Sequence, residues 1–270
     1  MIFSACQARQ EGPHGYLAGG NHRVAASEFA KLTHDEKGAP RITDDPPLIY
    51  HGEEERHPEF WVNVRRTLQR YRETLPDDRR VLFDRFRFFD VAIKVVGVGS
   101  GGTSAASPFF WRAKATRCSC KSLFLQIKEA RTSVLEPFAG KSVYQNHGER
   151  VVVGQRVMQT ASDIFLGWTV GEGGRHFYVR QLHDLKIKPV IAIMRPDNLI
   201  HYGAICGWAL ARAHARSGDA AVLAGYMGKS AVLDNAIADF AEAYADQNER
   251  DHTALIAAAR AGRIEMRTEM

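Results

Sequence analysis

Three glycines in the middle of the chain have the spacing that binding of a phosphate requires. They form a Gly97-x-Gly99-x-x-Gly102 pattern that directly follows a run rich in valine and isoleucine. A loop without side chains can turn tightly and bring several backbone N–H groups close to a phosphate. Ser100 and Gly101 lie in the same loop. The pattern predicts a phosphate-binding loop, with a bare turn between strands as the ordinary alternative.

Lys128 and Glu149 are the candidate partners of this loop. Lys128 lies near the end of a second apolar run, and Glu149 begins a stretch with helical periodicity. In kinases the lysine on a strand after the glycine loop contacts the phosphates, and a helical glutamate fixes that lysine. Each residue also has a structural interpretation. Lys128 could protect a sheet edge, and Glu149 could complement a helix dipole.

Two folds place such a glycine loop after a strand. In a dinucleotide-binding fold the loop opens a helix, and an acid at the end of a second parallel strand holds the ribose. Glu129 is positioned to be that acid, which makes an NAD-dependent oxidoreductase the rival hypothesis. Residues 104–121 contain no good amphipathic helix, however. The pattern therefore favours an antiparallel hairpin around the loop, as in a kinase.

The elements around the loop predict an α+β fold. Apolar periodicity indicates a kinase-like small antiparallel sheet with an inserted helix, followed by a helical C-terminal region. Phe83, Phe86, Phe88 and Phe89 are predicted core aromatics. The expected parts are an irregular, partly disordered segment at 1–56, helices and sheet at 57–190, and helices at 191–270. The expected elements are helices at 57–75, 79–88, 149–163, 199–217 and 230–259, strands at 91–96, 122–130 and 176–182, and a turn at 167–174.

Composition narrows the class of protein. The chain has 270 residues and a formal charge of +5, with basic and acidic residues interleaved, so we expect no nucleic-acid partner. No apolar run approaches the roughly 18 residues of a membrane span, and the N-terminus does not resemble a signal peptide. The four cysteines have no zinc-site spacing and are expected to be reduced thiols of a cytoplasmic protein. We predict no metal ligands.

Five blocks of sequence resemble the bacterial domain-of-unknown-function family 2252. They are KVVGVGS at 94–100, FLQIKEA at 124–130, RVVVGQR at 150–156, FYVRQL at 177–182 and CGWALARAHARSGD at 206–219. The resemblance covers about residues 24–265. It implies a fold similar to aminoglycoside-phosphotransferase-like kinases in a permuted order. Family members carry upstream Gly-Asp-x-His-x-x-Asn and Asn-Asp-Phe-Asp segments, which resemble the catalytic and metal-binding loops of a kinase.

This chain departs from the family pattern in ways that affect the expected activity. Neither upstream segment is present, so we expect an N-terminally truncated member. Residues 104–121 replace a regular apolar strand, which suggests a local disturbance of the reading frame. The segment 183–186 superficially resembles a kinase catalytic loop, but position 189 is proline where a magnesium ligand would be needed. His214 is interpreted as a packed or capping residue.

The sequence therefore predicts a kinase-like nucleotide-binding domain that does not transfer phosphate as this chain alone. The expected cofactor is ATP with Mg²⁺, and the further partner is a small-molecule or protein substrate. The alternatives are a non-catalytic binding or scaffold domain and, less favoured, the oxidoreductase. The predicted nucleotide-binding residues are Gly97, Gly99, Ser100, Gly101, Gly102, Lys128 and Glu149, and no catalytic residue is assigned.

Overall fold

The protein has a mixed α+β fold. The computed structural model describes residues 32–36, 39–95, 105–111, 122–159, 161–182 and 189–264. The chain forms two compact units, one up to Ala213 and one from His214 onward. Its elements are β1 Thr33–Glu36, β2 Ala39–Ile42, β3 Ile49–Tyr50, α1 Pro58–Glu73, α2 Asp77–Phe83, β4 Arg87–Lys94, β5 Ala105–Trp111, β6 Ser122–Glu129, α3 Glu136–Ala139, α4 His147–Met158, β7 Gly167–Val170, β8 His176–Gln181, α5 Pro196–Ser217, α6 Ala220–Met227 and α7 Val232–Arg260.

A six-stranded sheet forms the centre of the first unit. Its strand order is β3-β4-β5-β6-β8-β7, and every neighbouring pair is antiparallel. A separate hairpin consists of β1 and β2. Helix α4 lies in sequence between β6 and β7. The predictions of a small antiparallel sheet, an inserted helix and a helical C-terminal region are confirmed.

The largest core cluster lies on one face of this sheet. Side chains alternate between the two faces of a strand, so Leu123, Leu125 and Ile127 of β6 share a face. They pack with Phe177 and Val179 of β8. Helices α1 and α2 complete the cluster with Leu68, Tyr71 and Phe83. A smaller cluster joins Phe124, Ala92 and Ile42, which come from β6, β4 and β2.

Two predictions around α2 and β4 are wrong. The short helix ends at Phe83, and the last two residues predicted for it, 87 and 88, belong to β4. Phe83 is buried, and Phe86 and Phe88 pack partly buried against the core. Phe89, however, is 39% exposed. It lies at an irregularity where the β4–β5 register shifts between Phe88 and Asp90, so the simple alternation of side chains is broken there.

The segment after α4 also differs from the prediction. The helix ends at Met158 rather than near 163, and 167–170 is strand β7 rather than a turn. The carboxylate of Asp163 accepts the backbone N–H groups of Phe165 and Gln181. These bonds hold the chain against β8 in a non-helical path. The bend is confined to 171–175, where Gly173 and Gly174 adopt φ values of 67° and 74°.

Residues 105–111 form a regular strand although no regular element was predicted for them. Strand β5 pairs with β4 on one side and with β6 on the other. Pro108 lies inside it, at a position where a proline weakens a strand prediction. Three short strands also occur at 33–50, within the segment predicted to be irregular, whereas residues 1–31 lie outside the described part of the chain.

The C-terminal helices agree with the predicted pattern and add one helix. Gly218 follows α5 and donates its N–H to His214 O at 2.8 Å. Asp219 then caps α6 by accepting the N–H groups of Ala221 and Val222. The sequence indicated an N-cap at Asp219, but no range was predicted for this helix. The apolar side chains Ile237, Phe240 and Tyr244 of α7 are exposed. Among the described residues, no helix combines the length and apolarity needed to cross a membrane.

Candidate functional site

The predicted glycine loop falls outside the described residues, but the strands on either side of it are defined. Gly97, Gly99, Ser100, Gly101 and Gly102 all lie in the gap between β4 and β5. These two strands are antiparallel neighbours, with Ile93 opposite Ala106. The chain therefore leaves one strand and returns on the next through this segment. The segment 183–186, weighed above as a catalytic loop, is also outside the described residues.

Lys128 lies on β6, the strand that follows this hairpin. In the register of the sheet it faces Ala105 of β5 and Tyr178 of β8. Strand alternation places it on the face opposite Leu125 and Ile127, and its side chain is half-buried. The lysine thus lies on the predicted strand, but β5, for which no strand was predicted, comes between that strand and the loop segment.

Glu149 lies in the first turn of α4. The side chain of Asn146 caps this helix, because its Oδ1 accepts the N–H groups of Gly148 and Glu149 at 2.7 and 3.2 Å. Helix α4 packs against β7 and β8. Lys128 and Glu149 are therefore carried by two elements that both neighbour β8. A direct contact between their side chains stays a prediction.

Residues near Lys128 give its face of the sheet a polar, cationic character that the sequence analysis missed. Gln126 is only 3% exposed. Its Oε1 accepts hydrogen bonds from Nε and Nη2 of Arg180 at 3.1 and 3.0 Å. Burial raises the pKa of Tyr178, although the charge of Arg180 opposes this shift. The signal was available in the period-two spacing of 126 and 128 on β6 and of 178 and 180 on β8.

Glu129, the acid predicted to hold the ribose of a dinucleotide, forms an ion pair with an arginine of this chain. Glu129 is largely buried, with 11% of its side chain exposed, and its Oε1 lies 3.2 Å from Nε of Arg131. The element after the glycine segment is strand β5, antiparallel to β4. A dinucleotide fold instead has a helix at that point, followed by a parallel strand.

A second polar site, the acid–histidine cluster, consists of Asp44, His51, Glu55 and Asp90. His51 follows β3, Glu55 lies in a 3₁₀ turn at Glu53–Arg56, and Asp90 lies within β4. His51 Nδ1 lies 2.6 Å from Asp44 Oδ1. His51 Nε2 lies 3.2 Å from Asp90 Oδ2 and 3.8 Å from Glu55 Oε1. One imidazole ring is thus surrounded by three carboxylates.

The protein backbone and one arginine hold the carboxylates of this cluster. Asp90 Oδ2 accepts the N–H of Ile42 at 2.8 Å, and Oδ1 accepts that of Val91 at 2.8 Å. Arg41 Nη2 donates to Glu55 Oε2 at 3.1 Å. A cavity of about 320 Å³ borders the cluster and is lined by Arg41, His51, Gly52, Glu53, Glu55 and Arg56.

The charges in the cluster shift its pKa values. Burial alone lowers the pKa of His51, but the hydrogen bond to Asp90 and the charges of Asp90 and Glu55 raise it overall. Burial raises the pKa of Glu55, against the charges of His51 and Arg41. Burial also acts to raise the pKa of Asp90, yet hydrogen bonds from His51 and from the Ile42 N–H lower it overall.

The sequence analysis did not anticipate the acid–histidine cluster. One weak signal was the spacing of His51 and Glu55, four residues apart, which places two side chains on the same side of a helical turn. Another was Asp90, an acid next to an apolar run that predicts a buried strand. Neither signal predicts the contact between His51 and Asp90, which are 39 positions apart in the sequence.

Comparisons with known proteins show to which family the chain belongs. Residues 15–258 match a family described as uncharacterised proteins conserved in bacteria. A search of curated proteins and a search of solved structures found no match. The match covers most of the 270 residues and agrees with the resemblance inferred from the five sequence blocks. The chain therefore belongs to the bacterial domain-of-unknown-function family 2252.

Proposed function

We propose that this chain is a nucleotide-binding domain with a kinase-like arrangement. In this proposal the loop at 97–102 and Lys128 hold the phosphates of ATP with Mg²⁺, and Glu149 orients Lys128. A small-molecule or protein substrate is the further partner. Phosphoryl transfer needs a base and magnesium ligands in addition to this cradle. We therefore propose nucleotide binding, without phosphoryl transfer by this chain alone.

The observation that carries the proposal is the order and direction of the elements. An antiparallel hairpin, β4–β5, flanks the glycine segment, and β6 with Lys128 is the next strand in both sequence and space. Helix α4, with Glu149 in its first turn, follows and packs on the same sheet. Kinases use this order of glycine loop, lysine strand and glutamate helix. The same pairing argues against the oxidoreductase, whose sheet is parallel.

The charge on the Lys128 face also supports the proposal. In the register of β6 and β8, Tyr178 lies opposite Lys128, and Arg180 lies opposite Gln126. The cationic side chains of Lys128 and Arg180 therefore occupy neighbouring positions on one face of the sheet. The Arg180 guanidinium is held by Gln126 Oε1. A fixed guanidinium and a lysine ammonium together favour an anionic ligand such as a phosphate group.

Titration of the full chain with a fluorescent ATP analogue, with and without Mg²⁺, tests the proposal. A charge-assisted hydrogen bond contributes about 1.5–3 kcal/mol, so Lys128→Ala is expected to weaken binding by roughly 10- to 150-fold. The matched control is Lys229→Ala, because Lys229 is exposed between α6 and α7. Glu149→Ala is expected to weaken binding less, because Glu149 acts through Lys128.

Four results would contradict the proposal in different ways. ATP binding that is unchanged in Lys128→Ala would exclude the proposed phosphate contact. Absence of nucleotide binding in the folded protein would favour the non-catalytic binding or scaffold domain. Binding of NAD that is lost in Glu129→Ala would favour the oxidoreductase. Transfer of the γ-phosphate to water or to an added acceptor would contradict the expectation that this chain alone does not transfer phosphate.

A further inference from the structure

We propose that His51, Glu55 and Asp90 form a binding site for one divalent transition-metal ion of the Zn²⁺ class. Each residue offers one ligand atom, and these three atoms lie within 4.8 Å of one another. His51 Nε2 is the ring nitrogen near both Glu55 Oε1 and Asp90 Oδ2. This site is distinct from the proposed nucleotide site and does not depend on it.

The distances between the donor atoms suit a small cation. Nε2 of His51 lies 3.2 Å from Asp90 Oδ2 and 3.8 Å from Glu55 Oε1. Zinc binds histidine nitrogen and carboxylate oxygen at about 2.0–2.2 Å, which places neighbouring ligands of a tetrahedral ion roughly 3.3 Å apart. The two distances from His51 Nε2 lie on either side of that spacing. His51 and Glu55 also line the neighbouring cavity, which provides access for the ion and for a water ligand.

Each donor group is oriented from behind by a second hydrogen-bonding partner. Asp44 Oδ1 lies 2.6 Å from His51 Nδ1, which directs Nε2 toward the centre of the cluster. Metal-binding histidines commonly have a carboxylate in this position, where it fixes the tautomer and the orientation of the ring. In the same way Arg41 holds Oε2 of Glu55 and leaves Oε1 available.

An oxygen in the cluster without a hydrogen-bond partner is the independent observation that points to a cation as the ligand. Glu55 Oε1 is buried and has no hydrogen-bond donor among the described residues. The Glu55 side chain is 12% exposed, and those of His51 and Asp90 are each 7% exposed. A buried carboxylate oxygen without a donor is costly, and a metal ion in the cluster would satisfy it.

The competing explanation is a proton instead of a metal ion. His51 Nε2 and Asp90 Oδ2 cannot approach to 3.2 Å as two bare lone pairs, so either a proton on Nε2 or a metal ion must lie between them. A doubly protonated His51 satisfies Asp44 and Asp90 but leaves Glu55 Oε1 without a donor. A metal ion satisfies the three facing atoms together and leaves the Nδ1–H of His51 for Asp44. The two explanations therefore predict different protonation states of one ring.

Calorimetric titration of the chelator-treated full chain with Zn²⁺ is the primary test, and Co²⁺ provides a visible absorption band. We expect one ion per chain and an increase in Tm that grows with Zn²⁺ concentration. Glu55→Gln is expected to weaken Zn²⁺ binding at least 10-fold. The matched control is Glu59→Gln, because Glu59 is exposed in the first turn of α1 and does not line the cavity, so this variant should bind Zn²⁺ as the unchanged protein does. Asp44→Asn, which changes only the group behind the ring, is expected to cost about 10- to 100-fold.

Nitrogen NMR of the imidazole rings keeps the test informative if a variant fails to fold. In the unchanged protein, saturating Zn²⁺ should convert His51 to a ring protonated at Nδ1 and metal-bound at Nε2. A His51 ring that stays doubly protonated in excess Zn²⁺ would overturn the proposal. So would the absence of stoichiometric binding, or Zn²⁺ binding that is equal in the folded Glu55→Gln and Glu59→Gln variants.

Discussion

The carboxylate of Asp90 on β4 accepts the backbone N–H of Ile42 on β2 at 2.8 Å. This bond connects the β1–β2 hairpin to the six-stranded sheet through a side chain. In the described part of the chain, the two sheets share no ladder of backbone hydrogen bonds. The Ile42 side chain packs beside the same strand, against Ala92 and Phe124. Asp90 is therefore both a member of the acid–histidine cluster and the link that positions the hairpin.

Asp90→Ala is expected to lower the free energy of unfolding by about 3–5 kcal/mol, because it removes one partner of a buried ion pair. It also leaves the N–H groups of Ile42 and Val91 without their acceptor. Asp90→Asn keeps one acceptor oxygen, so it should lower the free energy of unfolding less than Asp90→Ala does. Urea unfolding of both variants measures this. Glu53→Ala is the surface control, expected within about 0.5 kcal/mol of the unchanged protein, and an equally small effect of Asp90→Ala would contradict the prediction.

The sequence was informative where a local pattern determines the structure. Helix α1 and strands β6 and β8 have clear periods, and Gly218 with Asp219 carries a local signal for a helix end and a new start. Strand β5 lacked such a signal because Pro108 interrupts it. Its conformation depends on pairing with β4 and β6 on both sides. Tertiary pairing overrides a weak intrinsic preference in such a strand.

The sequence predicted the residues of one candidate site but not those of the other. Lys128 and Glu149 were identified because the order of residues along the chain carries the pattern. The acid–histidine cluster joins His51 to Asp90, which are far apart in sequence and meet only because the hairpin and 3₁₀ turn pack beside β4. Without a spacing rule for such long-range contacts, one sequence does not predict them.

Tyr71→Phe is expected to destabilise the first unit by about 1–2 kcal/mol. Tyr71 is fully buried, and its hydroxyl donates to the carbonyl oxygen of Phe165 at 2.5 Å, joining α1 to the segment before β7. Removing the hydroxyl leaves a carbonyl without its donor. Thermal and urea unfolding measure the change. Tyr50→Phe is the control, because Tyr50 is exposed at 36%, and equal effects of the two changes would contradict the prediction.

The ion pair between Arg72 and Asp84 is expected to make stability depend on acid pH. Nε and Nη2 of Arg72 each lie 2.6 Å from an oxygen of Asp84. The hydrogen bonds from Arg72 lower the pKa of Asp84 below its ordinary value. A lowered carboxylate pKa stabilises the folded state above the unfolded pKa of about 3.9, and this stabilisation is lost as the pH falls through the folded pKa.

Asp84→Asn should therefore lower Tm at pH 7 and have a decreasing effect as the pH falls below about 4. Calorimetric scans at several pH values measure this. The Arg72→Gln background is the control, because the pH-dependent part of the Asp84→Asn effect should disappear there. The interpretation fails if Asp84→Asn lowers Tm equally at all pH values. High salt should also reduce the effect, because both side chains are partly exposed.

Two glycines in α4 are expected to respond oppositely to the same substitution. A Cβ atom on Gly148 would lie 2.2 Å from the carbonyl oxygen of Phe177 and 2.6 Å from its carbon, whereas one on Gly154 would meet no atom within 4 Å. The Phe177 carbonyl is backbone within β8 and cannot rotate away. Gly148→Ala must therefore displace the start of α4, at a cost of about 1–3 kcal/mol or more.

Gly154→Ala should instead stabilise the protein by about 0.5–1 kcal/mol, because alanine is the better helix former at an open position. Unfolding measurements on the two variants give the difference directly. Because Gly148 precedes Glu149, its substitution should also weaken binding of the ATP analogue if Glu149 has the proposed role, whereas Gly154→Ala should leave binding unchanged. A Gly148→Ala protein as stable as the unchanged one would show that α4 does not approach β8 as closely as described. A destabilised Gly148→Ala protein that still binds the nucleotide normally would keep this packing and exclude the role of Glu149.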